Sequence, residues 1–184
     1  LTFGAEAPPP FALQLSPDHD FQLPTWASAA NSSTRPSGVV GTVLDSDLYC
    51  GFIADGHHVN DTMLRLAIRS RPKPGRMVLV SDAMPTVNGP DYFELYDERI
   101  QLQDGRLVNA AGSLAGVHID MAASVARLFG ELMLPLADAL AMGTSAPSRL
   151  MGFTGRHGSL RPGARADFNL LDDRLGLVAS VATA

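Results

Sequence analysis

CGFIADGHHV, residues 50–59, runs from apolar residues into Asp55, Gly56 and two adjacent histidines, His57 and His58. MVLVSDAMP, residues 77–85, repeats the pattern, with four apolar residues leading into Ser81 and Asp82. A short, nearly continuous apolar run with polar flanks is what a strand buried on both faces requires. Strands are therefore expected over 48–54 and 77–80. Between them Asn60 can cap a helix whose apolar positions Met63, Leu64, Ala67 and Ile68 follow helical spacing. Arg65 and Arg69 suit its solvent side and C-terminal end, and Pro72, Pro74 and Gly75 stop it. Strand, helix and strand in this order imply two parallel strands with a right-handed crossover. Functional groups in parallel sheets collect at the carboxyl ends of the strands. Asp55, His57, His58 and Asp82 all fall on that rim.

The bulk properties are those of a globular chain: 184 residues, 46% hydrophobic and 18% charged. A formal net charge of -5 argues against a nucleic-acid binder. An anionic substrate remains compatible, since a few local cations outvote a mild global charge. Cys50 is the one cysteine, which excludes an internal disulfide and a cysteine-based zinc cluster and fits a reducing, cytoplasmic compartment. No apolar run approaches the roughly 20 residues that cross a bilayer, so no membrane association is expected. The opening LTFGAEAPPP lacks a basic segment followed by an apolar block and does not read as a signal peptide. Its first residue, Leu1, is compatible with a truncated or processed chain.

Residues 1–37 read as an irregular leader, punctuated by Pro8, Pro9, Pro10, Pro17, Pro24 and Pro36. Asp18, His19 and Asp20 are consecutive and do not converge on one ion, so they read as solvated loop. Residues 93–108 alternate around the turn signal Asp104–Gly105 and predict a hairpin-like excursion. Met121, Ala122, Val125, Leu128, Phe129 and Leu132 form a helical stripe. Short helices are expected over 136–142 and 147–151, the second ended by Gly152, and strands over 168–171 and 177–181.

Three stretches together resemble the N-acetylglucosamine-6-phosphate deacetylase family of the amidohydrolase superfamily. They are GVVG (38–41) followed by LYCGFIADGHHV, then LVSDAMP (79–85), then GSLAG (112–116) with Met121 shortly after. The tail GSLRPGARADFNLL, residues 158–171, looks like the wider superfamily's C-terminal signature. The resemblance implies an α/β fold: the C-terminal portion of a (β/α)8 barrel over 38–157, and returning strands of a small β-sandwich over 158–184. It would make the strands at 48–55 and 77–82 the seventh and eighth of the barrel.

The activity so implied is hydrolysis of the N-acetyl group of N-acetylglucosamine 6-phosphate, by a water whose pKa a divalent metal of zinc or iron type lowers. Asp82 matches the family's acid/base carboxylate, which collects the water's proton and delivers it to the leaving amine. His58 matches the substrate-contacting histidine, and Leu114, Ala115 and Gly116 match a segment against the sugar. Arg35 stands before Gly38 as the phosphate-binding arginine does, with a guanidinium fork suited to phosphate. A homodimer is implied, with a phosphorylated amino sugar as ligand. His57 occupies a variable position and reads as structural or exposed, while Asp55 followed by Gly56 is turn chemistry.

The sequence departs from the family upstream. Where the family carries a metal-binding histidine after a threonine, Trp26 follows Thr25, and the remaining ligands find no match in residues 1–24. The chain alone is therefore expected to lack the metal ligands. Codons for the family's Leu-Phe-Asn-Ala, read one frame out, can spell Ser32 to Arg35, which would make part of the leader a frame-shifted segment. Two other readings stand beside the first: a non-catalytic sugar-phosphate-binding or assembly remnant, and an amidohydrolase with another substrate.

Overall fold

β2 (Cys50–Phe52) and β3 (Met77–Leu79) pair in parallel, with Cys50 opposite Met77, Gly51 opposite Val78 and Phe52 opposite Leu79. They belong to a computed structural model that describes residues 13–14, 38–71 and 75–183. All six strand residues are buried, as the unbroken apolar runs require. The ladders are shorter than those runs. Leu48, Tyr49, Ile53 and Ala54 leave the ladder yet still pack inside or at the edge of the core.

β1 (Leu13–Gln14) lies parallel on the other side of β2, giving the order β1-β2-β3. The leader, read as irregular from its prolines, thus contributes a two-residue strand. Its signal is the run FALQL, residues 11–15, which is too short to outweigh the flanking prolines. The unpaired backbone edge of β2 is what recruits it. Arg35 and the Asp18, His19 and Asp20 cluster lie outside the described residues.

Among the described residues four helices close over one face of this sheet, and a fifth packs on the other. α1 (Gly38–Leu44) was not legible, because Gly38, Val39, Val40 and Gly41 are poor helix formers. It forms because Val43 and Leu44 are buried in the core. The Arg71 guanidinium then ties it down, donating to the carbonyls of Val43 and Leu48.

α2 (Asp61–Ser70) begins as expected at Asn60, whose side chain accepts the Thr62 N–H at 2.9 Å. Leu64 and Ala67 are its buried stripe. α3 (Met121–Gly130) is capped by Asp120, which accepts from the Ala123 N–H at 2.7 Å. α4 (Leu136–Gly143) and α5 (Ser145–Leu150) follow. Cys50, Phe52, Met77 and Leu79 pack with Leu64, Val125, Leu128 and Ala139 in one cluster. Tyr49, Val78 and Ala146 form a smaller one.

The excursion after β3 is a three-stranded antiparallel meander: β4 (Tyr92–Leu95), β5 (Glu98–Gln103) and β6 (Arg106–Val108). Asp104 and Gly105 take φ of 49° and 77°, the doubly left-handed turn their sequence signals. Tyr96 and Asp97, at 50° and 64°, make a second such turn that no glycine announced. The tail forms the antiparallel pair β7 (Phe168–Leu171) and β8 (Leu177–Val181), as expected. The chain is mixed α/β.

Leu64 is fully buried and Leu66, two residues along α2, is 50% exposed. Leu64→Ala is expected to destabilise the chain by about 2–5 kcal/mol. Leu66→Ala should stay within about 0.5 kcal/mol of the parent. Urea denaturation of both variants checks the orientation of α2.

Candidate active site

Because Phe52 and Leu79 stand opposite each other, both chains leave the sheet at the same end. The Val80 N–H donates to the Phe52 carbonyl at 3.0 Å and holds the exits level. Asp55 and Asp82, each three residues past its strand, therefore lie on one rim with His58, at the carboxyl ends of adjacent parallel strands.

Asp55 is 8% exposed and its carboxylate is fully engaged. Oδ1 accepts the backbone N–H groups of His57 and His58, each at 3.0 Å, and Oδ2 lies 2.6 Å from His58 Nδ1. Burial by itself would raise the carboxyl, but the bonds from the His58 side chain and from the two backbone N–H groups outweigh it and hold Asp55 down to about 2. A carboxylate can only accept here, so Nδ1 carries the donated proton and Nε2 is the ring nitrogen left for a ligand. The His58 side chain is recessed, with 5% of its surface exposed. His57 is exposed, as expected for a variable position, and its Nε2 lies 3.9 Å from where a Cβ on Gly105 would stand.

Asp82 is exposed and has φ of +50°. A left-handed aspartate costs backbone energy that surrounding structure must offset, and such residues cluster at functional sites. What holds it is the next segment. The Met84 N–H donates to the Val117 carbonyl at 3.0 Å, and Ala83 bridges Val117 in parallel.

The stretch before Val117 carries the other expected residues. Leu114 bridges Val108, and the Ala115 N–H donates to the Leu107 carbonyl at 2.9 Å. Gly116, at φ +139°, lies so close to Met84 that an added Cβ would come within 2.7 Å of the Met84 Cγ. Leu114, Ala115 and Gly116 are thereby brought beside the loop that follows Asp82. His118, which sequence reasoning passed over, reaches the buried Thr86 of that loop, Nδ1 to Oγ1 at 2.9 Å.

Arg127 was also missed. Its Nε donates to the Ala54 carbonyl at 2.9 Å, its Nη2 to Asp61 at 2.9 and 3.1 Å, and its Nη1 pairs with Glu131 at 2.6 Å. In sequence only the Glu131 pair, at helical i,i+4 spacing, was legible, and that spacing reads as an exposed ion pair. The reach to Ala54, 73 residues away, has no local signature.

Cys50, fully buried in β2, has its thiol pushed up to about 11 by burial, so it is core and not chemistry. A cavity of about 450 Å³ among the described residues is lined by Met77, Arg71 and Arg149, at the opposite end of β3. Among the described residues no three His, Cys, Asp or Glu side chains converge to hold a metal ion. Asp55 and His58 Nδ1 are already spent on each other. The described residues therefore do not fit the divalent metal that the resemblance implies.

A profile of the amidohydrolase family matches residues 75–182, more than half of the chain, and the chain belongs to that family. It is 32% identical to the N-acetylglucosamine-6-phosphate deacetylase of Haemophilus influenzae, over 82% of this chain and 40% of that protein. It is 35% identical to the N-acetylgalactosamine-6-phosphate deacetylase of Escherichia coli O157:H7, over 77% of this chain and 37% of that one. The crystal structure of N-acetylglucosamine-6-phosphate deacetylase from Pasteurella multocida superposes with a TM-score of 0.75 at 30% identity, covering 82% of this chain and 40% of that one. The chain thus spans about two fifths of these relatives. It spans 84% of a shorter relative from Escherichia coli K12, at 35% identity. Among the described residues no helix is long and apolar enough to cross a membrane.

Asp55 supplies a pH dependence. Its folded value of about 2 lies below the ordinary 3.8. The stability it contributes is therefore fully present above about pH 5 and is lost as the pH falls through 4 toward 2. At 1.36 kcal/mol per unit this is about 2 kcal/mol. Urea midpoints measured from pH 7 to pH 2 should show Asp55→Asn destabilised at neutral pH, with the gap to the parent narrowing across that acid window.

Proposed function

We propose that this chain carries the acid/base carboxylate and the sugar contacts of a deacetylase that hydrolyses N-acetylglucosamine 6-phosphate to glucosamine 6-phosphate and acetate. The observation that supports it best is that Asp82 and the Asp55–His58 pair follow the carboxyl ends of adjacent parallel strands, with residues 114–116 beside the loop after Asp82. Asp82 takes the proton of the water that attacks the acetyl carbonyl. As the C–N bond breaks, Asp82 returns that proton to the sugar nitrogen, so that acetate and the amine leave. Its exposure leaves the carboxylate open to substrate.

His58, with Nδ1 committed to Asp55, offers Nε2 to the sugar phosphate. Leu114, Ala115 and Gly116 are assigned to the sugar and Arg35 to the phosphate. The parallel strands read as part of a (β/α)8 barrel and the β7–β8 pair as part of a small sandwich, in a cytoplasmic homodimer. The ligands of the family's divalent metal would come from outside this chain. The names of the relatives support both the gluco and the galacto sugar, and kcat/KM for the two 6-phosphates, measured on the chimera described below, decides between them.

In a chimera that joins this chain to the N-terminal part of a full-length relative, Asp82→Asn should lower acetate release at least about a hundredfold with metal content unchanged. His58→Ala should instead raise KM, more for phosphorylated than for unphosphorylated N-acetyl sugars. Full activity in the Asp82→Asn chimera would end the acid/base assignment. The purified 184-residue chain should release no acetate from either sugar. Metal-dependent release by that chain would overturn the placement of the ligands outside it.

A further inference from the structure

The six residues between Ala54 and Asp61 carry Asp55 and His58, and one guanidinium grips both flanks of that loop. Arg127 Nε holds the Ala54 carbonyl at 2.9 Å, in a residue only 1% exposed, while Nη2 holds both Asp61 oxygens at the first turn of α2. Glu131, at 2.6 Å from Nη1, braces the guanidinium from its own helix. Gly56 turns inside this grip at φ +79°, and a Cβ there would stand 2.5 Å from Arg127 Nη2. The side chain is thus packed against the turn as well as bonded to its ends.

We propose that Arg127 is a positioning residue of the rim, which sets the orientation of the His58 ring through the 55–60 loop without touching substrate. The planar fork explains why arginine stands there. It serves a carbonyl, a carboxylate on α2 and a carboxylate at the C-terminal cap of α3 at once, which a lysine ammonium on its flexible stem does not. Without it the buried Ala54 carbonyl loses its donor and Asp61 its partner. The loop ends are then free to part, and the Nδ1–H bond to Asp55 no longer has a defined geometry. For substrate affinity this rests on the reading of His58 as a sugar-phosphate contact. For the ring itself it does not.

The experiment uses the 184-residue chain labelled with 15N-histidine, in which long-range NMR correlations report which ring nitrogen carries the proton. His58→Ala assigns the signal. The parent should show His58 protonated at Nδ1. Arg127→Gln should lose that signature, giving a mixture of tautomers, while the His118 and His157 signals stay in place. Arg127→Lys should restore it only in part.

Gly56→Ala is the second variant. It removes no donor but displaces the guanidinium and strains the turn at φ +79°, and it should reproduce the loss. Titration with N-acetylglucosamine 6-phosphate should show affinity weakened about tenfold or more in Arg127→Gln, equivalent to about 1.4 kcal/mol. An unchanged His58 signal in both Arg127→Gln and Gly56→Ala overturns the proposal. If the parent binds no sugar phosphate, the functional reading fails, and the ring signal still decides the role of Arg127.

Discussion

The parallel register of Phe52 against Leu79 is the constraint on which the candidate site depends. It levels the two strand exits, so that polar residues far apart in sequence emerge at one edge. A slip of one residue would turn every side chain of one strand to the opposite face. That slip is resisted from both sides. Cys50, Phe52, Met77 and Leu79 face the helical cluster, while Val78 packs with Tyr49 and Ala146. At about 25 cal/mol per Å² of apolar surface removed from water, misplacing even one such side chain costs on the order of 2 kcal/mol.

Order at the rim is electrostatic where order in the sheet is apolar. Asp55 is buried, which alone would disfavour its charge, yet three hydrogen bonds keep it ionised. The group they stabilise in turn selects the His58 tautomer. Asp82 differs. It is exposed, with its backbone in the left-handed region, and it depends on the pairing of Ala83 and Met84 with Val117. The meander therefore belongs to the site: β6 carries residues 114–117 into position, and the β5–β6 turn approaches His57. One carboxylate is held rigid to orient a ring, and the other is left open to react.

Apolar surface is left exposed at the far end of the chain. Phe168, Leu170, Leu177, Val178 and Val181 are each more than 40% exposed on the two-stranded β7–β8 sheet. A two-stranded sheet is marginal by itself. Here Asp167 helps to hold it, accepting from the Arg165 side chain and from the Thr183 N–H, each at 2.7 Å. The relatives from Haemophilus influenzae and Pasteurella multocida are more than twice the length of the matched region.

The sequence by itself determined the elements and their direction. Apolar runs at 48–54 and 77–80, the Asn60 cap and the Asp104–Gly105 turn are local patterns, and each marks an element that the structure contains. They also put Asp55, His58 and Asp82 on one rim, since strand ends follow from strand order. Tertiary structure decided what local patterns do not encode. α1 forms against its own propensities because Val43 and Leu44 find the core. Leu13–Gln14 becomes a strand because β2 offers an edge. Residues 114–116 meet the Asp82 loop because β6 delivers them, and Arg127 reaches Ala54 across 73 residues. The physical reason is the range of the forces involved. Hydrophobic periodicity, caps and turns act within a few residues, whereas a hydrogen bond to a distant carbonyl has no period and exists only once the fold has brought donor and acceptor together.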